Sequence, residues 1–319
     1  MHPGSVGQSS PAATHGSRKG GAGRVGLVGV GLLGAALAER LIAGGRRVLG
    51  FDVDPARLRV LDQVGGESAV SAEDVVAHCD TVVLSLPTSR IVAALLGELI
   101  PRLTSRHVLL DTTTGAPDDA VRAGERVGAV GAAYLDSTVS GSSEQVRRGE
   151  GLVMVGGDRE AFELCRPLLE RLADRVVHVG PVGSGAKMKL ATNLVLGLNR
   201  AALAEGLAFA GALGLDPAQT LAILQASPAA SRIMEAKGPK MVTGDFRPQA
   251  RLSQHLKDVR LILELGRETG ARLPLSETHQ TLLKEAEAAG WGGLDNSAIF
   301  KTLAPPASHL EPQPDDPRS

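Results

Sequence analysis

Two groups of residues in this 319-residue sequence have types and spacings suited to chemistry. The first is Gly29, Gly31 and Gly34 in "GLVGVGLLGAAL", spaced G-x-G-x-x-G where an apolar run gives way to a helical pattern. Such a loop cradles a pyrophosphate. Gly29 permits the tight turn, Gly31 lets the backbone approach the phosphates, and Gly34 lets the helix pack against its strand. The free N–H groups and dipole at the helix start attract the anion. Val30, Leu32 and Leu33 fill out the loop and are candidate cofactor contacts with it. Asp52 lies 18 residues beyond Gly34 at the end of the next apolar run. From there an acid accepts a hydrogen bond from a ribose 2′-hydroxyl and repels a 2′-phosphate, so NAD is expected, with NADP as the alternative. The plainer role for Asp52 is to cap the turn before Pro55.

The second group lies in "GPVGSGAKMKLATNLVLG". Lys189 and Asn193 are four residues apart, which puts both on one helix face. A Lys beside an amide on an otherwise apolar helix suits proton transfer with substrate orientation, and partial burial would bring the amine into a useful range. On spacing alone, two solvated lysines (Lys187 and Lys189) and an unremarkable Asn193 describe the same stretch at least as well. Upstream, Ser140, Gly141 and Ser142 follow an apolar run ending at Asp136. They form a small polar loop able to offer N–H groups and hydroxyls to a carboxylate, or simply a turn between a strand and a helix.

These residues need elements to carry them. Short continuous apolar runs at 24–29, 47–51, 81–86, 107–111 and 132–136 alternate with helical patterns at 32–43, 71–78, 90–99 and 118–127. Continuous rather than alternating apolarity predicts strands buried on both faces, as in the parallel sheet of a doubly wound α/β domain. Two further strands, 151–157 and 175–180, flank a helix at 159–172. After Gly185 the pattern is wholly helical: a long helix over 187–213, closed by Gly214 and Pro217, then 217–225, 231–237, 255–269, 276–289 and 296–303. The expected organisation is α/β, with an N-terminal Rossmann-type doubly wound sheet at 23–182 followed by an all-helical substrate and oligomerisation domain at 183–304. A Gly/Ser/Ala/Pro-rich leader at 1–22 and a Pro-rich acidic tail at 305–319 are expected to be disordered.

Composition removes other classes. With 34 Lys and Arg against 35 Asp and Glu, nothing favours nucleic acid. Aromatic residues are 2% of the chain, too few for base or sugar stacking. Cys79 and Cys165 are the two cysteines, at no metal-ligand spacing, so no metal, no disulfide and a reducing, cytoplasmic compartment are expected. The most apolar stretch, 190–215, is broken by Arg200 and Glu205, leaving no run of about 20 uncharged residues. The small residues Gly197, Ala201, Ala204, Ala208 and Ala212 on the long helix offer close approach to another helix, so a homodimer or homotetramer through the helical half is expected.

In order and content, "GLVGVGLLG", "DSTVSGS", "GSGAKMKLATN" and "LKDVRL" resemble the β-hydroxyacid dehydrogenases. That family includes 3-hydroxyisobutyrate dehydrogenase and the glyoxylate/succinic semialdehyde reductases, with 6-phosphogluconate dehydrogenase more distant. The likeness spans about residues 24–303. It implies Lys189 as the catalytic acid/base, Asn193 as its partner and Ser140, Gly141 and Ser142 as the substrate-carboxylate loop. It also implies Leu86, Pro87, Thr114 and Lys257 as neighbours of the cofactor. The family's Ala-Pro is replaced by Ser137 and Thr138, and the reductase branch's Asn-Arg-Thr by Asp52-Val53-Asp54. The implied activity is hydride transfer between NAD and a small 3-hydroxy acid, a small carboxylic-acid substrate such as 3-hydroxyisobutyrate. The competing functions are a reductase of small aldehyde acids, an imine reductase and a silent dinucleotide-binding scaffold.

Overall fold

A computed structural model describes residues 23–304; the expected leader and tail lie outside them. The first strands are β1 (Val25–Val28), β2 (Val48–Phe51) and β3 (Glu67–Ser68), then β4 (Thr81–Leu84), β5 (Val108–Asp111) and β6 (Ala133–Ser140). The last two are β7 (Leu152–Gly156) and β8 (Arg175–Gly180). They form one eight-stranded sheet in the order β3-β2-β1-β4-β5-β6-β7-β8. Strand order reverses at β1, flanked by β2 and β4, and a doubly wound sheet opens a crevice beyond the strand ends at such a reversal. The glycine loop leaves β1 there.

Helices α1 (Leu32–Ala43), α2 (Pro55–Gln63), α3 (Ala72–His78), α4 (Ser89–Leu99), α5 (Pro117–Gly128), α6 (Ser143–Arg148) and α7 (Arg159–Leu172) cover the sheet. One core packs α1 and α7 on one face through Leu37, Leu41, Phe162 and Leu169. The other packs α3, α4 and α5 on the opposite face through Val75, Leu96 and Val127. The continuous Val/Leu runs of the central strands answer this double coverage.

Three features depart from the expected pattern. The sheet is not wholly parallel: β7 runs antiparallel to β6, Asp136 facing Gly156 and Ser140 facing Leu152. Strand β6 does not end at Asp136 but continues through Ser137, Thr138 and Val139. Its second half is polar because its side chains meet helix rather than oil: the Thr138 hydroxyl donates to the Gly185 carbonyl at 3.0 Å. A proline there could neither donate that bond nor supply a backbone N–H. Third, α2, β3 and α6 are additional elements; α6 opens with a capping box in which Ser142 and Gln145 satisfy each other's backbone N–H.

The remainder is helical. The long helix α8 spans Ser184–Ala212, followed by α9 (Pro217–Ala226), α10 (Arg232–Thr243) and α11 (Leu252–Thr269). The chain closes with α12 (Pro274–Ala288) and α13 (Phe300–Leu303). A separate core of Leu203, Leu207, Met241, Leu256, Val259 and Leu283 joins them. By length and mean hydropathy α8 could cross a bilayer, contrary to the sequence arithmetic, with its best 18-residue window averaging 1.2. Of that window 39% is buried inside the protein, and the helix buries the polar side chains Lys189, Asn193 and Arg200.

Candidate active site

The glycine loop has the shape its spacing predicts. Gly29 sits at φ +96°, in the left-handed region, and a Cβ there would lie 2.3 Å from the Ser85 carbonyl oxygen. A Cβ on Gly34 would lie 2.0 Å from the Gly29 carbonyl oxygen, so only hydrogen fits between α1 and its strand. Around Gly31 the space is open, with nothing within 4 Å of such an atom. No side chain caps the start of α1, and no acid occupies its first turn. Unmet N–H groups facing open space at a helix N-terminus fit a dinucleotide pyrophosphate. Val30 and Gly34 are buried, Gly31 and Leu33 half-buried and Leu32 at the surface.

Asp52 closes this loop from β2. Its Oδ2 accepts the Val30 N–H at 2.7 Å and its Oδ1 accepts the Asp54 N–H at 2.9 Å. Asp54 caps α2, while Asp52 closes the turn before Pro55 through the Asp54 N–H and holds the phosphate loop through the Val30 N–H, so its plainer role is present beside the cofactor one.

Lys189 projects from the second turn of α8. The start of that helix is pinned to the sheet: both Asp136 oxygens accept N–H groups, from Gly183 at 2.9 Å and Ala186 at 2.8 Å. The pinning places Lys189 one turn beyond Gly185, whose carbonyl holds Thr138, two residues before Ser140. Lys189 is 8% exposed, and no described residue hydrogen-bonds its amine. Burial pushes its pKa down to about 8, with Asp258 pulling the other way and Lys257 adding to the fall.

Asn193 is buried and its Nδ2 donates to Asp258 Oδ2 at 2.9 Å. Asp258, on α11, thus joins the site although sequence reasoning passed over it as the neighbour of Lys257. The available signal was its place in the Lys-Asp pair of "LKDVRL". Burial raises its pKa, opposed chiefly by Lys257 and Lys189. Lys257 lies 3.2 Å from Asp258 Oδ1 and reaches the sheet, donating to the Thr114 carbonyl at 2.5 Å and the Pro87 carbonyl at 3.4 Å. The Leu86 N–H donates to the Thr113 hydroxyl at 3.2 Å. The structure therefore brings Lys189, Asn193, Lys257, Pro87 and Thr114 to one seam between the two halves of the chain, with Asp258 at its centre.

The Ser140–Ser142 segment differs from a free polar loop. Ser140 is the last residue of β6 and Ser142 is the cap of α6. The Ser142 N–H donates to the Gln145 side chain and its hydroxyl accepts the Gln145 N–H. What this segment can offer a carboxylate is the Ser140 hydroxyl, the Gly141 N–H and the Ser142 hydroxyl proton. Cys79 and Cys165 are buried, and no cluster of metal ligands occurs among the described residues. His255 is buried and packed against His279.

Comparison with known proteins accounts for both halves. Residues 24–180 match the NAD binding domain of 6-phosphogluconate dehydrogenase, and residues 183–303 match the family described as NAD-binding of NADP-dependent 3-hydroxyisobutyrate dehydrogenase. The chain belongs to the β-hydroxyacid dehydrogenase family. It is 30% identical over 289 residues to 2-hydroxy-3-oxopropionate reductase of Escherichia coli, covering 90% of this chain and 99% of that one. It is 30% identical to 2-(hydroxymethyl)glutarate dehydrogenase of Eubacterium barkeri, covering 87% and 94% of the two chains. The solved 3-hydroxyisobutyrate dehydrogenase of Salmonella typhimurium superimposes with a TM-score of 0.81 at 26% identity, over 87% of this chain and 99% of that one. As a β-hydroxyacid dehydrogenase it is an oxidoreductase dependent on NAD or NADP.

Proposed function

We propose that this dehydrogenase transfers hydride between NAD and a small 3-hydroxy acid, 3-hydroxyisobutyrate or a close analogue, with Lys189 as general acid and base. The observation that carries the reading is a buried amine with no hydrogen-bond partner among the described residues and with a pKa of about 8. Near neutral pH such a group can both take and return a proton, which is the requirement for reversible general acid–base work. The nicotinamide supplies the hydride acceptor or donor. Lys189 takes the proton of the substrate hydroxyl as that carbon becomes a carbonyl, and in reverse polarises and protonates the carbonyl oxygen. Asn193, held by Asp258, keeps its other N–H and its Oδ1 for the substrate hydroxyl. The Ser140 hydroxyl and the Gly141 N–H bind the carboxylate. Lys257 spans the cleft beside the cofactor, and Asp52 selects NAD by hydrogen bonding the adenosine ribose and repelling a 2′-phosphate.

The reverse reaction, reduction of a small aldehyde acid, uses the same groups and is the second reading. Its support is the likeness to a protein named for reducing 2-hydroxy-3-oxopropionate. A cytoplasmic homodimer or homotetramer completes the proposal, assembled through the helical half. There Val195, Phe209, Leu213, Leu215 and Ile223 are more than half exposed, an unusual density of apolar surface on one part of a chain.

The test is NADH formation by the purified chain with NAD and a panel of 3-hydroxy acids, beside Lys189→Ala and with NADP in parallel. Turnover with NAD, far weaker with NADP and lost in Lys189→Ala, is the expected result. NADH binding without oxidation of any hydroxy acid or reduction of any aldehyde acid refutes it.

A further inference from the structure

The helical half buries more positive than negative charge. Its buried ionised side chains are Lys189, Arg200 and Lys237 against Asp258 and Asp295. Lys237 pairs with Asp295 at 2.8 Å, and Asp258 faces Lys257. Asp295 is saturated, since its two oxygens also accept the N–H groups of Gln249, Ala250 and Ser297 and the Ser297 hydroxyl. Among the described residues Arg200 makes no ion pair, and it is 1% exposed. Its Nε and Nη2 are enclosed and find no acceptor among them. In this same chain, that edge of the guanidinium grips a carboxylate at Arg148 and Glu150.

Two neutral donors share the region. A Cβ on Gly197, three residues before Arg200 on α8, would lie 2.6 Å from His255 Nε2 and 2.7 Å from His279 Cε1. The absent side chain therefore lets two imidazoles close on the helix from α11 and α12, with ring centroids 5.2 Å apart. Both Nε2 atoms are enclosed and without a hydrogen-bond partner among the described residues. After burial, the Arg200 charge is the largest influence lowering the pKa of each ring, His279 to about 4. Both rings are thus neutral at pH 7, each with one N–H to give.

We propose that Arg200, His255 and His279 form an enclosed site for a small monovalent inorganic anion, chloride being the natural occupant, one to two helical turns along α8 from Asn193. Water could satisfy these N–H groups but adds no charge. Asp295 and Asp258 act on the guanidinium without an ion-pair contact and are already engaged by Lys237 and Lys257. They offset its burial only in part, and its pKa falls to about 10. Burial to 1% exposure excludes a tailed carboxylate, which separates this site from that of the substrate. The proposal is independent of which hydroxy acid the enzyme oxidises.

Bromide is the probe. Crystals of the wild-type protein grown with bromide are expected to show anomalous density within about 3.5 Å of the Arg200 guanidinium, a charge-assisted contact distance for a large anion. In solution, thermal unfolding at fixed ionic strength is expected to rise by about 3 °C per tenfold increase in bromide or chloride above its Kd, with gluconate as the inert balance. The variant Arg200→Met is expected to lose that response while retaining NADH binding. Density at this position without anomalous signal, a halide response that persists in Arg200→Met, or bromide bound in crystals with no shift in solution each overturns the proposal. The last outcome means binding at crystal concentration only. The wild-type crystal result stands even if Arg200→Met fails to fold.

Discussion

Replacing Lys189 with Met is expected to inactivate the enzyme and to stabilise it at neutral pH. The amine is held near pKa 8 against an ordinary 10.5. A depression of this size corresponds to about 3 kcal/mol at about 1.4 kcal/mol per pKa unit. The sign follows from which state binds the proton more weakly. Below pH 8 both folded and unfolded chains carry the ammonium, and the folded state bears the whole cost of burying it. Between pH 8 and 10.5 the folded chain releases the proton first and the cost fades; above 10.5 neither state is charged and none remains. Met has nearly the same length and no charge, so Lys189→Met recovers most of that cost at pH 7 and little at pH 10.5. Chemical denaturation of both proteins at pH 7, 9 and 10.5 measures the difference directly. At pH 7 the expected gain is about 2–3 kcal/mol, shrinking steadily with pH. Over the same series kcat is expected to fall by about 10²–10⁴, the usual worth of a general acid–base group. A stability loss, or a gain that does not change with pH, would refute the claim that burial sets the basicity of this lysine.

The two ends of the phosphate loop separate fold from binding. Gly31→Ala places its methyl in open space and should leave the melting temperature within about 1 °C while sharply weakening NADH binding by fluorescence titration. Gly34→Ala drives a methyl to 2.0 Å from a carbonyl oxygen and should cost about 2 kcal/mol or more of stability as well, read by urea unfolding. Asp52→Ser should raise kcat/KM for NADP relative to NAD by at least about tenfold, since it removes a charge that repels a 2′-phosphate. Asp258→Asn removes a charge that raises the Lys189 pKa, so the rising limb of the oxidation pH profile should move to lower pH. A role confined to packing would lower the rate without moving that limb.

Much of this architecture was legible because two periodicities are written plainly. Val/Leu runs mark strands covered on both faces, and the glycine spacing is punctuated by a strand before it and a helix after it. The antiparallel β7 was not legible: "LVMVG" is as continuous in apolarity as the parallel strands, because direction depends on the connection and not on burial. The second half of strand β6 was not legible either, because it carries Asp136 and Thr138, whose partners are the Gly183, Gly185 and Ala186 backbone some fifty positions later. Helix α6 did carry a local signal, the capping-box pair of Ser142 followed three residues on by Gln145.

At the site the sequence showed residue types and the fold showed their commitments. Lys189 and Asn193 were readable from a four-residue spacing, but that spacing serves a solvated lysine equally well. What separates the cases is Asp258, 65 positions after Asn193 and reached only through the packing of α11 on α8. The same packing explains why the helical half tolerates so many buried charges. Between its catalytic end and Arg200, α8 presents Lys189, Asn193 and Gly197 to α11. That helix answers with Asp258 and His255 in antiparallel order. A wholly apolar interface would hold the helices together more strongly. It would also surround Lys189 with nothing to oppose desolvation, and the amine's pKa would fall further. Asp258 restores part of the charge balance from within the interface, and Lys257 extends it to the Pro87 and Thr114 carbonyls at the sheet edge. For the proposed role of Lys189, the polar seam is thus the condition under which one lysine can be both buried enough to be weakly basic and charged enough to act as an acid.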